Sequence, residues 1–148
     1  MSALRNATLF PLDPYVPPSN LNGSGTRVST QFRLFKVLNV DIASGELKMK
    51  IWRRTVWKDD RLKWDPIDHD GIKMFWAYPL NRREYTPDNN LWLPPMYTTN
   101  TIVSEADSTE VGGALVRHDG RVWHSVPGTL ELSCRFNNLV SFPRDVPL

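Results

Sequence analysis

The fold is decided by one stretch of the sequence, residues 51–66, which reads IWRRTVWKDDRLKWDP. Apolar and polar side chains alternate along its first half, and this period of two indicates a half-buried β-strand. Ile51 and Trp57 share the inward parity, whereas Trp52 and Arg54 share the outward parity with neighbouring lysines. The pattern therefore predicts that a tryptophan and an arginine stand side by side on the exposed face of a strand.

The second half of the same stretch predicts a charged turn that an Asp-Pro pair closes. Its aspartates are mixed with basic residues, as Asp59 and Asp60 are between Lys58 and Arg61. Such a mixture is more typical of a salt-bridged turn than of a catalytic carboxylate dyad or a calcium loop.

Upstream of this strand, the sequence predicts one more strand and, before it, an irregular segment. Apolar residues alternate from Val28 to Val40, so a half-buried strand is expected there, followed by a turn at 41–45. Residues 1–27 are rich in proline, serine, asparagine and glycine, and they are expected to form an irregular leader.

Downstream, three further signals predict strands and turns. Residues 72–79 are expected to form a strand, and Asp119-Gly120 between apolar segments favours a hairpin with a two-residue type I′ turn. Pro127 and Gly128 are expected to turn the chain again before a last alternating strand. Six or more antiparallel strands joined by short turns predict an all-β fold, an antiparallel β-sandwich.

Length and composition exclude several classes of protein. The 148 residues suffice for one domain, and 41% hydrophobic with 23% charged residues is a globular composition. A net charge of +2 lacks the one-signed field of a nucleic-acid-binding protein, and no apolar run reaches the roughly 18 residues of a membrane helix. We therefore expect no nucleic-acid partner and no membrane helix within these residues.

Catalytic and cofactor chemistry is also missing from the sequence. Three histidines lie on or near predicted turns without metal-ligand spacing and are expected to be solvent-exposed: His69, His118 and His124. There is no glycine-rich phosphate loop and no nucleophile elbow. We predict that the protein is not an enzyme and that it holds neither a metal nor a cofactor.

Trp52 and Arg54 are the side chains whose chemistry suits recognition of a small ligand. A guanidinium is a planar fork of donors that matches a ligand carboxylate, and the face of an indole ring binds an ammonium group. The alternative is a cation–π pair that only covers the sheet. Spacing alone leaves these interpretations open.

The same stretch also resembles a known family. From Trp52 to Trp64 it has an aromatic residue, four residues, and then W-x-D-x-x-L-x-W, which is similar to the extracellular ligand-binding domain of pentameric ligand-gated ion channels, the Cys-loop receptors. Three more stretches match in order: 91–94 (LWLP), 120–134 (GRVWHSVPGTLELSC) and 142–145 (FPRD). The resemblance covers residues 28–148 and implies the N-terminal portion of that domain, a sandwich incomplete at its C-terminus.

The resemblance implies roles for residues on the side of the agonist site that the family calls complementary. Trp52 and Arg54 correspond to loop D, where receptors for γ-aminobutyrate and glycine carry an arginine that pairs with the ligand carboxylate. Trp123 and Ser125 correspond to the loop E strand. All four are candidate ligand-binding residues.

The principal side and the scaffold are implied in the same way. Residues 91–100 correspond to loop A, whose candidate ligand contacts here are Tyr97 and Thr99. Thr99 stands where many members have an aromatic residue. The implied scaffold residues are Trp57, Asp59, Leu62, Trp64, Trp92, Pro94, Pro143 and Asp145.

Cys134 is the one cysteine of the sequence. Taken alone, such a cysteine is usually a small buried hydrophobe. The resemblance instead makes it the first cysteine of the family's signature loop and implies a disulfide to a cysteine that would follow Leu148.

The family's mechanism implies the partners. Five homologous subunits form a ring, and a small amine or amino-acid agonist binds between neighbours. Binding opens a pore made by membrane helices that are absent from these residues. Arg54 favours an agonist with a carboxylate, and the implied location is the extracellular side of the cell membrane.

Two alternatives stay open. A soluble binding protein similar to the acetylcholine-binding proteins has the same sandwich without membrane helices. A secreted carbohydrate-binding β-sandwich would stack sugars on exposed tryptophans, here Trp52, Trp76 and Trp123.

Overall fold

The computed structural model describes residues 2–18, 25–79, 86–103 and 112–136. They form a short helix and five strands: α1 (Ser2–Leu9), β1 (Ser29–Asp41), β2 (Glu46–Lys58), β3 (Met74–Ala77), β4 (Gly113–Arg117) and β5 (Arg121–Ser133). Single turns of 3₁₀ helix occur at Asp60–Leu62, Pro66–His69 and Pro87–Asn90. Within these segments no helix has the length and apolarity needed to span a bilayer.

The strands form one antiparallel sheet in the order β1-β2-β5-β4-β3. The predicted all-β antiparallel fold class is confirmed, with five strands in the described residues where six or more were expected. The strand predicted within residues 72–79 is β3.

The pairing of β2 with β5 is the frame of this sheet. All 13 residues of β2 have a partner on β5, from Glu46 opposite Ser133 to Lys58 opposite Arg121. Residues directly opposite each other in an antiparallel pair have their side chains on the same face. The register therefore assigns each side chain of both strands to one of two faces.

One face of the sheet, here called the inner face, carries the core. On β2, Ile51, Thr55 and Trp57 are buried, whereas Trp52 is half-buried and Arg54 is exposed on the opposite, outer face. The predicted parity of this strand is confirmed. The core cluster on the inner face of the sheet consists of Leu4, Leu9, Trp57, Leu62, Phe75, Ala77, Leu91, Trp92, Ala114, Val116 and Val122.

The N-terminal segment is not wholly irregular. Residues Ser2–Leu9 form α1, and its Leu4 and Leu9 are buried in the core. Arg5 Nε lies 2.7 Å from Oδ1 of the buried Asp88, so an ion pair also connects the helix to the 3₁₀ turn that precedes Trp92. The expectation of an irregular leader is wrong for this helix, because burial of its two leucines in the core stabilises it.

Strand β1 lies at the edge of the sheet and is exposed on both faces. It pairs with β2, with register shifts between Leu34 and Lys36 and between Val37 and Asn39. Its largely exposed apolar residues are Phe32, Leu34, Phe35, Val37, Leu38 and Val40. The expectation of a half-buried strand is wrong, because no described residues cover the inner face of β1.

The predicted hairpin joins β4 to β5, but its turn differs from the expected one. Val116 pairs with Val122, and the Gly120 N–H donates to the Arg117 carbonyl at 2.9 Å, so the loop has three residues. Gly120 has φ +82°, whereas Asp119 has no positive φ. The expected type I′ turn is wrong, since it needs positive φ at both central residues, and the loop instead ends on a left-handed glycine.

Strand β5 runs without a break through Pro127 and Gly128, where a turn was expected. Strand β4 begins at Gly113, opposite Ser125, and the next described contact on that side of β5 is the bridge between Thr101 and Leu132. Proline has no N–H to donate and is tolerated in a strand where no ladder hydrogen bond is required. The expectation of a turn is wrong for this reason.

The charged turn after β2 is built around a buried carboxylate. Asp59 accepts hydrogen bonds from the Arg61 N–H at 3.0 Å and from its Nε and Nη2 at 2.9 and 2.8 Å. The hydrogen bond to Asp59 raises the pKa of Arg61 above its usual range. The exposed Asp60 pairs with Lys58 at 3.4 Å and Lys63 at 2.8 Å. The salt-bridged turn predicted from the sequence is confirmed.

Candidate ligand-binding site

Trp52 and Arg54 lie side by side on the outer face of β2. The Arg54 guanidinium carbon is 5.4 Å from the centroid of the Trp52 ring, which is within cation–π distance. Phe35 of β1 also contacts Trp52, with 5.7 Å between ring centroids and 30° between planes. Among the described residues, the buried Trp52 Nε1 has no hydrogen-bond partner.

A groove of about 400 Å³ opens beside these side chains, where β1 meets β2. Its lining residues are Gln31, Phe32, Arg33, Trp52 and Arg54. Two of these residues are arginines and none is acidic, so the groove is positively charged. In the part of the chain that the structure describes, no cluster of histidine, cysteine or acidic side chains is arranged to hold a metal ion.

The two candidates on β5 lie on the same outer face. Ser125 is directly opposite Arg54, and Trp123 is opposite Val56. Side chains paired in this way have Cβ atoms about 5 Å apart. The structure therefore brings Ser125 next to Arg54, and Trp123, which is 45% exposed, lies further along the strand.

The two principal-side candidates lie at the far end of β5. Tyr97 is 86% exposed and Thr99 is also exposed. Their segment reaches the sheet where Thr101 forms a bridge with Leu132. That point is about 23 Å along the strand from Ser125, at about 3.3 Å per residue. Within one chain, the structure does not bring Tyr97 or Thr99 to the groove.

The implied scaffold residues are largely interior. Those that are buried are Trp57, Asp59, Leu62 and Trp92, while Trp64 packs against the core and Pro94 is half-buried. The rings of Trp57 and Trp92 meet edge to face with centroids 6.0 Å apart. The remaining two, Pro143 and Asp145, lie outside the described residues.

Cys134 follows β5 as a half-buried free cysteine in the described part of the chain. Its N–H donates to the Gly45 carbonyl at 2.7 Å. Gly45 has φ +76°, and a Cβ there would lie 2.7 Å from the Cys134 carbonyl oxygen. The turn between β1 and β2 is therefore in direct backbone contact with Cys134, whose disulfide stays a prediction.

His124 lies on the inner face of β5, where it is only 7% exposed. Burial, with a smaller contribution from the charge of Arg53, lowers the pKa of His124 to about 4, so its imidazole is neutral at pH 7. Among the described residues, its Nε2 has no hydrogen-bond partner. The expectation of a solvent-exposed histidine is wrong here, and the signal that could have corrected it is its alternation with Val122 and Val126.

Arg33 and Phe35 belong to the same surface but were not predicted as site residues. Arg33 is opposite Trp52 in the sheet, and its guanidinium carbon lies 5.8 Å from the centroid of the Phe35 ring. The alternation along β1 placed Arg33 on the polar side of the strand without showing which residue faces it. Strand register and the irregularity after Leu34 determine these contacts.

Comparison with known proteins identifies the family. The family model of the neurotransmitter-gated ion-channel ligand binding domain matches residues 2–147. This chain therefore belongs to the family of neurotransmitter-gated ion-channel ligand-binding domains. The match includes the N-terminal residues that were expected to form a leader.

Individual relatives agree with this assignment. The neuronal acetylcholine receptor subunit alpha-6 of Mus musculus is 28% identical over 129 residues, which cover 87% of this chain and 24% of the relative. The 5-hydroxytryptamine receptor 3A of Rattus norvegicus is 29% identical, over 82% of this chain and 23% of the relative. The acetylcholine receptor subunit alpha-L1 of Schistocerca gregaria is 23% identical, over 82% and 20%. The chain spans about a quarter of the length of these relatives or less.

Proposed function

We propose that this chain is part of the extracellular ligand-binding domain of a subunit of a pentameric ligand-gated ion channel. Family membership supports this proposal, as do relatives named as receptors for acetylcholine and 5-hydroxytryptamine. A small agonist binds between neighbouring subunits at the cell surface. Agonist binding shifts the equilibrium from the closed to the open pore. The free energy of that shift is limited to the difference between the agonist's binding free energies in the two states.

The agonist site proposed on this chain is the outer face around the groove. Trp52 and Arg54 are its centre, with Ser125 and Trp123 extending it along β5. Tyr97 and Thr99 lie far from the groove within one chain, so they contact the same agonist only from a neighbouring copy. This separation supports a site that two subunits share.

The chemical class of the agonist is inferred from the position of Arg54 over the ring of Trp52. An ammonium ligand would seek the indole face that the guanidinium already occupies, and it would meet a like charge there. A carboxylate accepts hydrogen bonds from the guanidinium without that conflict. We therefore propose an agonist that carries a carboxylate, such as an amino acid.

Arg54→Ala tests this proposal. A hydrogen bond to a charged group is worth about 1.5–3 kcal/mol, and since Arg54 is exposed we take the lower part of that range, which corresponds to a roughly 10–30-fold change in affinity. In full-length channels that carry this domain, we expect Arg54→Ala to raise the half-maximal concentration of γ-aminobutyrate, glycine or L-glutamate by that factor. The readout is the agonist-evoked current.

Lys50→Ala is the matched control. Lys50 is an exposed cation on the same strand and the same outer face, but it does not line the groove. Its removal should change the half-maximal concentration less than threefold. The proposal of a carboxylate agonist is rejected if channels with intact Arg54 respond to acetylcholine or 5-hydroxytryptamine and to none of the amino acids.

A further inference from the structure

The short N-terminal helix contains a sequon, the triplet that marks an asparagine for N-linked glycosylation. Residues 6–8 read Asn6-Ala7-Thr8, which fits the pattern of asparagine, any residue except proline, and threonine. Such triplets also occur by chance, so the sequence alone does not make this asparagine an acceptor. The surroundings of the triplet in the fold favour one of these two interpretations.

The acceptor asparagine lies on the exposed side of α1. The helix buries Leu4 and Leu9 in the core, whereas Asn6 and Ala7 are exposed. An N-linked glycan is bulky and hydrophilic, so it requires a position on the surface. An oligosaccharide on the Asn6 amide extends away from the core and displaces none of the described core side chains.

Neither the helix nor the core explains the presence of Asn6. Asparagine is a poor helix former, because its amide competes for backbone hydrogen bonds in other conformations. Two asparagines that lie outside any sequon have a structural role, since the Asn90 amide donates to the Phe10 carbonyl at 3.2 Å and the Asn100 amide to the Ser133 carbonyl at 3.1 Å. The Asn6 side chain has no hydrogen-bond partner among the described residues. Its amide is therefore available for modification.

The position of Thr8 indicates when the sugar is attached. In the folded helix, Thr8 is half-buried and its Oγ1 donates to the Leu4 carbonyl at 2.8 Å. A helix of eight residues is marginal in water by itself, and the other buried members of the core that stabilises α1 begin at Trp57. Because synthesis starts at the N-terminus, the sequon emerges well before the core that holds it in a helix.

We infer that Asn6 carries an N-linked oligosaccharide that is attached during synthesis of the chain. This inference rests on the proposed function, because the reaction requires that these residues enter the secretory pathway. The Asn6 amide nitrogen attacks the anomeric carbon of an oligosaccharide linked to a lipid pyrophosphate. A carbon–nitrogen bond forms, the bond from that carbon to the pyrophosphate oxygen breaks, the lipid pyrophosphate leaves with the electron pair, and the amide loses one proton.

Variants of the sequon test this site in full-length channel subunits that carry this domain. All are expressed in mammalian cells with Asn22→Gln, because residues 22–24 form a second sequon, which lies outside the described residues. Peptide-N-glycosidase F in heavy-oxygen water converts a glycosylated asparagine to labelled aspartate, which mass spectrometry of the peptide detects. We expect the label at position 6 in the parent and in Thr8→Ser, which keeps the hydroxyl. We expect none in Asn6→Gln or in Thr8→Val, which keeps the asparagine and the side-chain shape.

The measurement does not depend on folding of the variants, because the sugar is added before the helix forms and total protein is analysed. Protection of the domain from trypsin in sealed microsomes shows whether it has crossed the membrane. A protected parent domain without label at position 6 would overturn the glycosylation and leave the proposed function in place, and so would equal labelling of the parent and Thr8→Val. A parent domain that trypsin digests would instead reject the proposed extracellular location, so the two failures are distinguishable.

Discussion

At the scale of single residues, the side of a strand on which a side chain lies determines most of the candidate site. The sequence pattern predicted that Trp52 and Arg54 share an exposed face, and the structure places them in cation–π contact. This prediction was possible because side chains alternate strictly along a regular strand. Arg33 and Phe35 could not be predicted in the same way, because their contacts depend on a register shift that only pairing reveals.

His124 shows a second limit of the sequence pattern. The residue lies close to the Asp119-Gly120 turn, and that proximity favoured solvent exposure over burial. Its burial follows from a property of the partner elements, since Thr55 of β2 pairs with it on one side and Ala114 of β4 on the other. Local sequence reports the face of a strand but does not report how well that face is covered.

The lowered pKa of His124 predicts a loss of stability in mild acid. The folded chain keeps the imidazole neutral down to pH values near its pKa of about 4, whereas the unfolded chain binds a proton below about pH 6.5. Stability is therefore fully present above pH 6.5 and falls as the pH approaches 4. Between pH 7 and pH 5, we expect the free energy of unfolding to fall by about 2 kcal/mol through this group.

Urea unfolding of the chain and of His124→Leu at pH 7 and pH 5 measures this contribution. Carboxylates titrate in both proteins, so the difference between the two pH dependences isolates the histidine. The leucine variant should lose less stability between the two pH values. Identical pH dependences in the two proteins would show that His124 does not couple protonation to folding.

At the scale of elements, the hairpin of β4 and β5 was located correctly but its turn was not. Asp-Gly occurs both in two-residue turns and in three-residue loops that end on a left-handed glycine. The choice depends on a distant contact, because the Asp59 N–H donates to the Gly120 carbonyl at 2.8 Å. Turn residues alone do not contain that information.

Gly120→Ala is therefore expected to be more destabilising than a positive φ alone explains. A Cβ at Gly120 would lie 2.6 Å from the Asp59 carbonyl oxygen, whereas a Cβ at Gly71, with φ +73°, meets nothing within 4 Å. We expect Gly71→Ala to cost about 1 kcal/mol and Gly120→Ala about 3 kcal/mol. Thermal unfolding of both variants at one protein concentration gives the comparison, and equal costs would contradict the steric argument.

At the scale of the whole molecule, the sequence predicted the fold class but not which parts of the sheet are covered. Alternation along β1 predicts half-burial, whereas the strand is exposed on both faces of the described structure. The period of a strand indicates which side chains share a face. Burial of that face requires a second layer, and no local pattern in β1 reports whether one is present.

The exposed edge of β1 predicts self-association of the isolated chain. A long apolar edge strand offers unpaired backbone groups and side chains to a second copy. We expect association to increase with concentration in sedimentation velocity experiments and to be weakened by Leu34→Lys. Ile67→Lys is the control, because Ile67 is 87% exposed and lies outside β1. Equal effects of the two lysines would show that β1 is not the contact surface.

The thirteen-residue pairing of β2 with β5 also has a mechanical meaning. Peeling two strands apart breaks their hydrogen bonds one after another, but sliding one strand along the other requires many to break together. The two paired strands therefore resist sliding along each other, and Trp52 and Ser125 lie within the paired region. At one end of this pair of strands, the backbone hydrogen bond from Cys134 to Gly45 connects β5 to the β1–β2 turn. We therefore expect a force applied along the strands at the groove to reach that turn through the paired strands.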